Sequence, residues 1–192
     1  MSLPARCTYI VFDMDCTLTR TTHDYEEMRR LVGTPPGEDT LRYVYQQPNR
    51  DELLERIYEW ELSHAKIASA NDGARALLDR LRTQGHTLGI LTRNAKALID
   101  VTLKAAGLED YFDPSDCLGR EDCKAKPAPD GVLQLQSKWG CQLDHMAIIG
   151  DYAHDLGAGR AAGIFTVCLN EQNRWPSLTD LHITHLEQML RA

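Results

Sequence analysis

The sequence predicts an α/β protein, a doubly wound parallel sheet with an all-helical insertion after its first strand. Short apolar runs recur at 9–12, 87–92, 146–150 and 165–169, and runs of that length read as strands buried on both faces. From residue 71 onward such runs alternate with helical stretches closed by Gly85, Gly107, Gly140 and Gly163, the rhythm of strand–helix–strand units. Between about residues 22 and 70 there is no strand-like run at all, only helical periodicity.

Taken in order, Tyr9-Ile10-Val11-Phe12 is the first strand. Helices are then expected at 26–32, 38–47 and 51–68. In the last, Leu53, Leu54, Ile57, Tyr58, Glu61 and Leu62 repeat at helical spacing on a mostly apolar stripe. Gly33-Thr34-Pro35-Pro36-Gly37 and Pro48-Asn49 punctuate the joins. The expected division is a core of 1–19 and 71–192 with a helical cap at 20–70, joined through 18–22 and 68–73. Within the core, helices are expected at 74–83, 95–106, 130–139 and 155–162, with a brief strand at 117–118. A short extension at 181–183 and a last helix from His185 complete the chain.

Polar residues gather where the apolar runs stop. Asp13 and Asp15 follow the first strand two residues apart, so both can face one pocket. Two close carboxylates need a cation between them, or a proton on one. Thr92 and Arg93-Asn94 follow the second run just before a helix, where free N–H groups favour an anion; Asn94 is the better-placed helix cap. Lys126 opens Lys126-Pro127-Ala128-Pro129 ahead of another helix, and an ammonium suits a phosphate and an aspartate together. Asp151 ends the run 146–150, with Asp155 four residues on; hard oxygen donors there suit Mg²⁺.

Asp13-x-Asp15-x-Thr17, Thr92, Lys126-Pro-x-Pro129 and Gly150-Asp151-x-x-x-Asp155 stand in this order at successive strand ends. Together they resemble the four motifs of the haloacid dehalogenase (HAD) superfamily, and the core is most similar to its phosphoglycolate phosphatase type. The resemblance implies a Rossmann-like HAD fold and a Mg²⁺-dependent phosphatase that hydrolyses a small phosphomonoester, phosphoglycolate-like or a sugar phosphate. Asp13 would be the nucleophile, forming an aspartyl-phosphate, and Asp15 the acid and base. Thr92 and Lys126 would complete the catalytic set. Met14, Thr17, Arg93 and Asn94 would hold phosphate through main chain or side chain. Asp13, the Asp15 carbonyl and Asp151 would bind the metal, with Asp155 supporting them from behind. Two departures stand out: Cys16 replaces the usual Gly, with packing the expected role of its thiol, and the cap is short.

Composition limits the partners. At 192 residues the chain can bury a full core, and its net charge of −7 with scattered basic residues speaks against a nucleic-acid surface. No run is long enough to span a membrane, the start lacks a secretory apolar segment, and six cysteines without a Cys-x-x-Cys pair fit reduced thiols in a cytoplasm. A monomer or homodimer acting on a small phosphoester is the expectation. A phosphomutase of the β-phosphoglucomutase type and a non-catalytic HAD-fold binding protein are the alternatives. Arg20, His23, Arg42, Tyr43 and Lys66 are placed on the cap as solvated or packing residues, and His154 as a solvent-facing one.

Overall fold

A computed structural model describes residues 2–20 and 23–191. The chain runs β1 (Tyr9–Phe12), β2 (Thr19–Arg20), α1 (Tyr25–Val32), α2 (Thr40–Tyr45), α3 (Arg50–Ala65) and β3 (Ser69–Ala70). It continues through α4 (Ala74–Thr83), β4 (Thr87–Leu91), α5 (Lys96–Ala106), β5 (Cys117–Leu118), α6 (Asp130–Trp139) and β6 (Met146–Gly150). The last elements are α7 (Ala153–Ala162), β7 (Phe165–Leu169) and β8 (Leu181–Ile183). Six strands form one sheet in the order β5-β4-β1-β6-β7-β8, and every pairing in it is parallel.

Alternation along β1 shows how the sheet is covered. Ile10 and Phe12 join a core with Leu77, Leu78 and Leu81 of α4 and Ile99 and Leu103 of α5. Val11 points the other way, into a core with Val132 and Leu135 of α6 and Ala158 of α7. Side chains two apart share a face, so an apolar run without polar interruption is what a doubly covered strand requires. The first two strand-end carboxylates thereby start from the middle of the sheet.

The insertion is helical as expected, with its own small core of Val32, Leu41, Val44, Leu53 and Ile57. Several boundaries differ from the sequence reading. The stretch 69–70 was expected to be a plain joint; it is β3, pairing antiparallel with β2 and closing the neck of the insertion. The helix expected to 68 therefore stops at Ala65. The helix expected over 38–47 is trimmed to Thr40–Tyr45, because the Asp39 side chain caps it, accepting from the Arg42 N–H at 2.9 Å. The final helix from 185 is a 3-10 helix, Leu186–Arg191. Of the joint expected at 18–22, Thr21 and Thr22 lie outside the described residues. No helix among the described residues is long and apolar enough to cross a membrane.

Candidate active site

The three central strands deliver the site. The Asp13 N–H donates to the Ile149 carbonyl at 2.9 Å, extending the β1–β6 ladder one residue beyond β1. Asp13 thus sits beside the end of β6, where Asp151 follows Gly150. On the other flank Thr92, buried at the end of β4, donates its N–H to the Leu118 carbonyl at 3.0 Å. Asp155 enters from the first turn of α7. A Cβ at position 150 would lie 2.3 Å from the Asp155 Cβ, so only glycine lets that carboxylate approach the strand end. Oxygens of Asp13, Asp151 and Asp155 all come within 4.8 Å of one another.

Lys126 stands among these carboxylates. Its ammonium donates to Asp13 Oδ1 at 2.6 Å, to the Leu91 carbonyl at 2.7 Å and to Asp155 Oδ1, which uses its three donors. Burial alone would push this lysine down, but Asp13 and Asp155 more than reverse it and hold it above the usual range. Burial, then the charge of Asp155, pushes Asp13 well above an ordinary carboxylate despite Lys126. The same two causes bring Asp151 up to about 7. Three carboxylates around one ammonium carry surplus negative charge, which a bound cation would relieve. Asp155, expected to support from behind, lies in the same 4.8 Å cluster as Asp13 and Asp151 and accepts from Lys126.

Asp15 lies to one side, beneath the insertion. Burial raises it to about 6 against a hydrogen bond from Asn94, whose Nδ2 donates to Asp15 Oδ2 at 2.6 Å. That bond corrects the expectation for Asn94: the α5 cap position is Ala95, with no capping side chain, and Asn94 serves Asp15 instead. The Asn94 N–H donates to Thr92 Oγ1 at 3.1 Å. Above Asp15 the rings of His23, Tyr25, Trp60 and His64 pack against one another, with His23 and His64 centroids 4.6 Å apart. Burial, then His64, lowers His23 to about 4. The Tyr25 hydroxyl is held far above its usual range by burial and by the charge of Asp15.

The remaining expected residues are spread more widely. Met14 is fully buried, and its carbonyl accepts from the Leu18 and Thr19 N–H groups at 2.9 and 3.0 Å, closing the loop after β1. Thr17 is buried too, with no partner for its hydroxyl. Cys16 has φ of +60°, the left-handed region that the more usual glycine would enter without strain. Arg93 directs its guanidinium to Asp39 of the insertion, at 2.7 Å from both carboxylate oxygens. His154, expected to face solvent, meets the same Asp39 at 3.4 Å. Sequence reasoning passed over Arg120, whose Nη1 lies 2.6 Å from Glu61 Oε1 in a buried pair. Glu61 Oε2 also accepts from the Ala95 N–H at 3.3 Å, capping α5 from the insertion. The signal was a lone carboxylate on an apolar helical stripe.

Known proteins resemble this chain in sequence and in fold. A model of the haloacid dehalogenase-like hydrolase family matches residues 20–169. A haloacid dehalogenase-like hydrolase domain-containing protein of Arabidopsis thaliana is 30% identical over 86% of this chain and 72% of its own length. A phosphoglycolate phosphatase of Escherichia coli O157:H7 is 25% identical over 88% of this chain and 66% of its own. Among solved structures, a haloacid dehalogenase-like hydrolase from Streptococcus pneumoniae superposes with a TM-score of 0.77 at 17% identity, covering 98% of this chain and 99% of that one. A strand-end carboxylate centre on this sheet, with a family match over most of the chain, makes the protein a member of the haloacid dehalogenase-like hydrolase family.

Proposed function

We propose that the protein is a Mg²⁺-dependent phosphatase of a small phosphomonoester, with residues 20–70 acting as a cap on a catalytic core of 1–19 and 71–192. The observation that carries this reading is the crowding of Asp13, Asp151 and Asp155 within 4.8 Å beside Lys126, with Asp15 alongside. Their hard oxygen donors suit magnesium, held by Asp13, Asp151 and the Asp15 carbonyl, with Asp155 close behind. When bound, the ion would offset the carboxylates and polarise the phosphoryl oxygens.

The chain's own groups carry the covalent steps. An Asp13 oxygen attacks phosphorus in line, and the bond to the leaving oxygen breaks as Asp15 gives that oxygen its proton. Asp15, now a carboxylate, takes a proton from water. The resulting hydroxide attacks the aspartyl-phosphate, releasing inorganic phosphate and restoring Asp13. Lys126 stays charged against Asp13 throughout, and the Thr92 hydroxyl with the N–H groups after Asp13 cradles the phosphoryl oxygens. The phosphoglycolate phosphatase among its relatives supports this reaction class. A cytoplasmic setting belongs to the same reading, on six cysteines without a Cys-x-x-Cys pair.

Asp13→Asn is expected to abolish Mg²⁺-dependent release of phosphate from 4-nitrophenyl phosphate, and persistent turnover would refute the nucleophile. A chelator should silence the wild type reversibly. Conversion of a sugar phosphate to its isomer without free phosphate would reassign the protein as a mutase.

A further inference from the structure

We propose that His23 and His64 receive the leaving oxygen beside Asp15, and that they select phosphomonoesters of uncharged alcohols over anionic substrates. This deepens the phosphatase reading and rests on it. The cavity against Asp15 is lined by Arg20, His23, Glu61, His64 and Asn94 among others, and its volume of about 10 Å³ is room for a single oxygen-sized group.

The polar atoms around it are unevenly satisfied. Asp15 spends Oδ2 on Asn94, while Oδ1 faces His23 Nδ1 at 3.7 Å, beyond hydrogen-bond reach. The His23 side chain is only 7% exposed, and its Nδ1 is buried with no partner in the protein. A buried nitrogen of this kind is costly unless a polar group comes to it, and a hydroxyl between His23 and Asp15 could bond both. His64 lines the same cavity. A carbonyl can only accept, so Nδ1, 2.8 Å from the Trp60 carbonyl, carries its proton and leaves Nε2 to other partners.

Charge decides which leaving group fits. Arg20 is the only arginine or lysine among the described lining residues, and it is ion-paired with Asp72. Glu61, also in the lining, is matched by Arg120. A carboxylate or a second phosphate would thus enter beside the carboxylates of Asp15 and Glu61 and would have to draw Arg20 away from Asp72, whereas a neutral hydroxyl meets donors and acceptors already in place.

The test compares kcat/KM for glycerol 1-phosphate and glucose 1-phosphate with that for phosphoglycolate and pyrophosphate, all with Mg²⁺. The wild type should favour the first pair by about tenfold or more. His23→Ala should then lose at least about tenfold more on glycerol 1-phosphate than on 4-nitrophenyl phosphate, whose leaving group departs without such help, and His23→Asn should recover part of the difference. A wild type that prefers phosphoglycolate or pyrophosphate overturns the proposal while leaving the phosphatase intact, and so do equal losses on both esters in His23→Ala. If that variant does not fold, wild-type selectivity and His23→Asn decide alone. No turnover of any ester, 4-nitrophenyl phosphate included, overturns the phosphatase reading and this one with it.

Discussion

The helical insertion meets the sheet domain along two seams that share one chemistry, an arginine on a carboxylate, in opposite surroundings. On the α3 side, Arg120 and Glu61 pair with side chains 3% and 5% exposed, above an apolar cluster of Ala65, Ala95 and Leu98. On the α2 side, Arg93 and His154 share Asp39 with side chains about a quarter exposed, and no hydrophobic cluster joins α2 to the core among the described residues. The same bond is therefore a fastening in one place and a clasp in the other. A buried pair cannot lose one partner without stranding a charge, whereas a wet one exchanges its partner for water. The α3 seam should hold while the α2 seam opens.

Breaking the α3 seam should produce the largest effect. Arg120→Met leaves Glu61 buried and unpaired, which costs about 3–5 kcal/mol. For a chain of this size that is a fall in Tm of roughly 10 °C. The double variant Glu61→Met/Arg120→Met should regain most of it, since two apolar side chains replace two desolvated charges. Calorimetry of both variants checks this. A loss of under about 1 kcal/mol in Arg120→Met would show that α3 is no firmer than α2.

Asp15 lies between the seams and reports on how dry their meeting point is. Burial raises it to about 6, so the proton it would donate in the proposed reaction is present below that pH and lost above it. On substrates whose leaving group needs protonation, kcat/KM should fall about tenfold per pH unit on the alkaline side of pH 6. The sign for stability is the same: a raised carboxylate contributes stability that is full below its ordinary range and lost as pH rises through about 6. Asp15→Asn should therefore gain in Tm over the wild type between pH 4 and pH 7. An invariant difference would mean that water reaches Asp15 freely.

The contrast between the seams also explains what could be read from the chain alone. Asp13, Thr92 and Asp151 were legible because each ends a local apolar run, and β4, β1 and β6 lie side by side in a doubly wound sheet. Lys126 was legible through the proline pair that fixes its approach. Glu61–Arg120 and Asp39–Arg93 join residues 59 and 54 positions apart, and no local periodicity encodes such a pairing. Asn94 looked like a helix cap because the capping signal is local, and only the folded site brings Asp15 close enough to take its amide. Neck strands two residues long carry no periodicity of their own, so β2 and β3 stayed hidden in the joints.

The smallest effect belongs to the clasp. Asp39→Asn removes a carboxylate that burial would raise but that hydrogen bonds from His154, the Arg42 N–H and Arg93 together hold far below its usual range. A depressed carboxylate contributes stability above its ordinary pKa and loses it as pH falls through its folded one, so the wild-type clasp should loosen only in strong acid. At pH 7 the variant should lose under about 1 kcal/mol, as exposed pairs do. Its signature should instead be local. Amide hydrogen exchange should quicken over residues 25–49 of the insertion while residues 50–65 keep wild-type protection, the reverse of the pattern expected for Arg120→Met. Uniform quickening across both stretches would show that the insertion moves as one body and that its two seams open together.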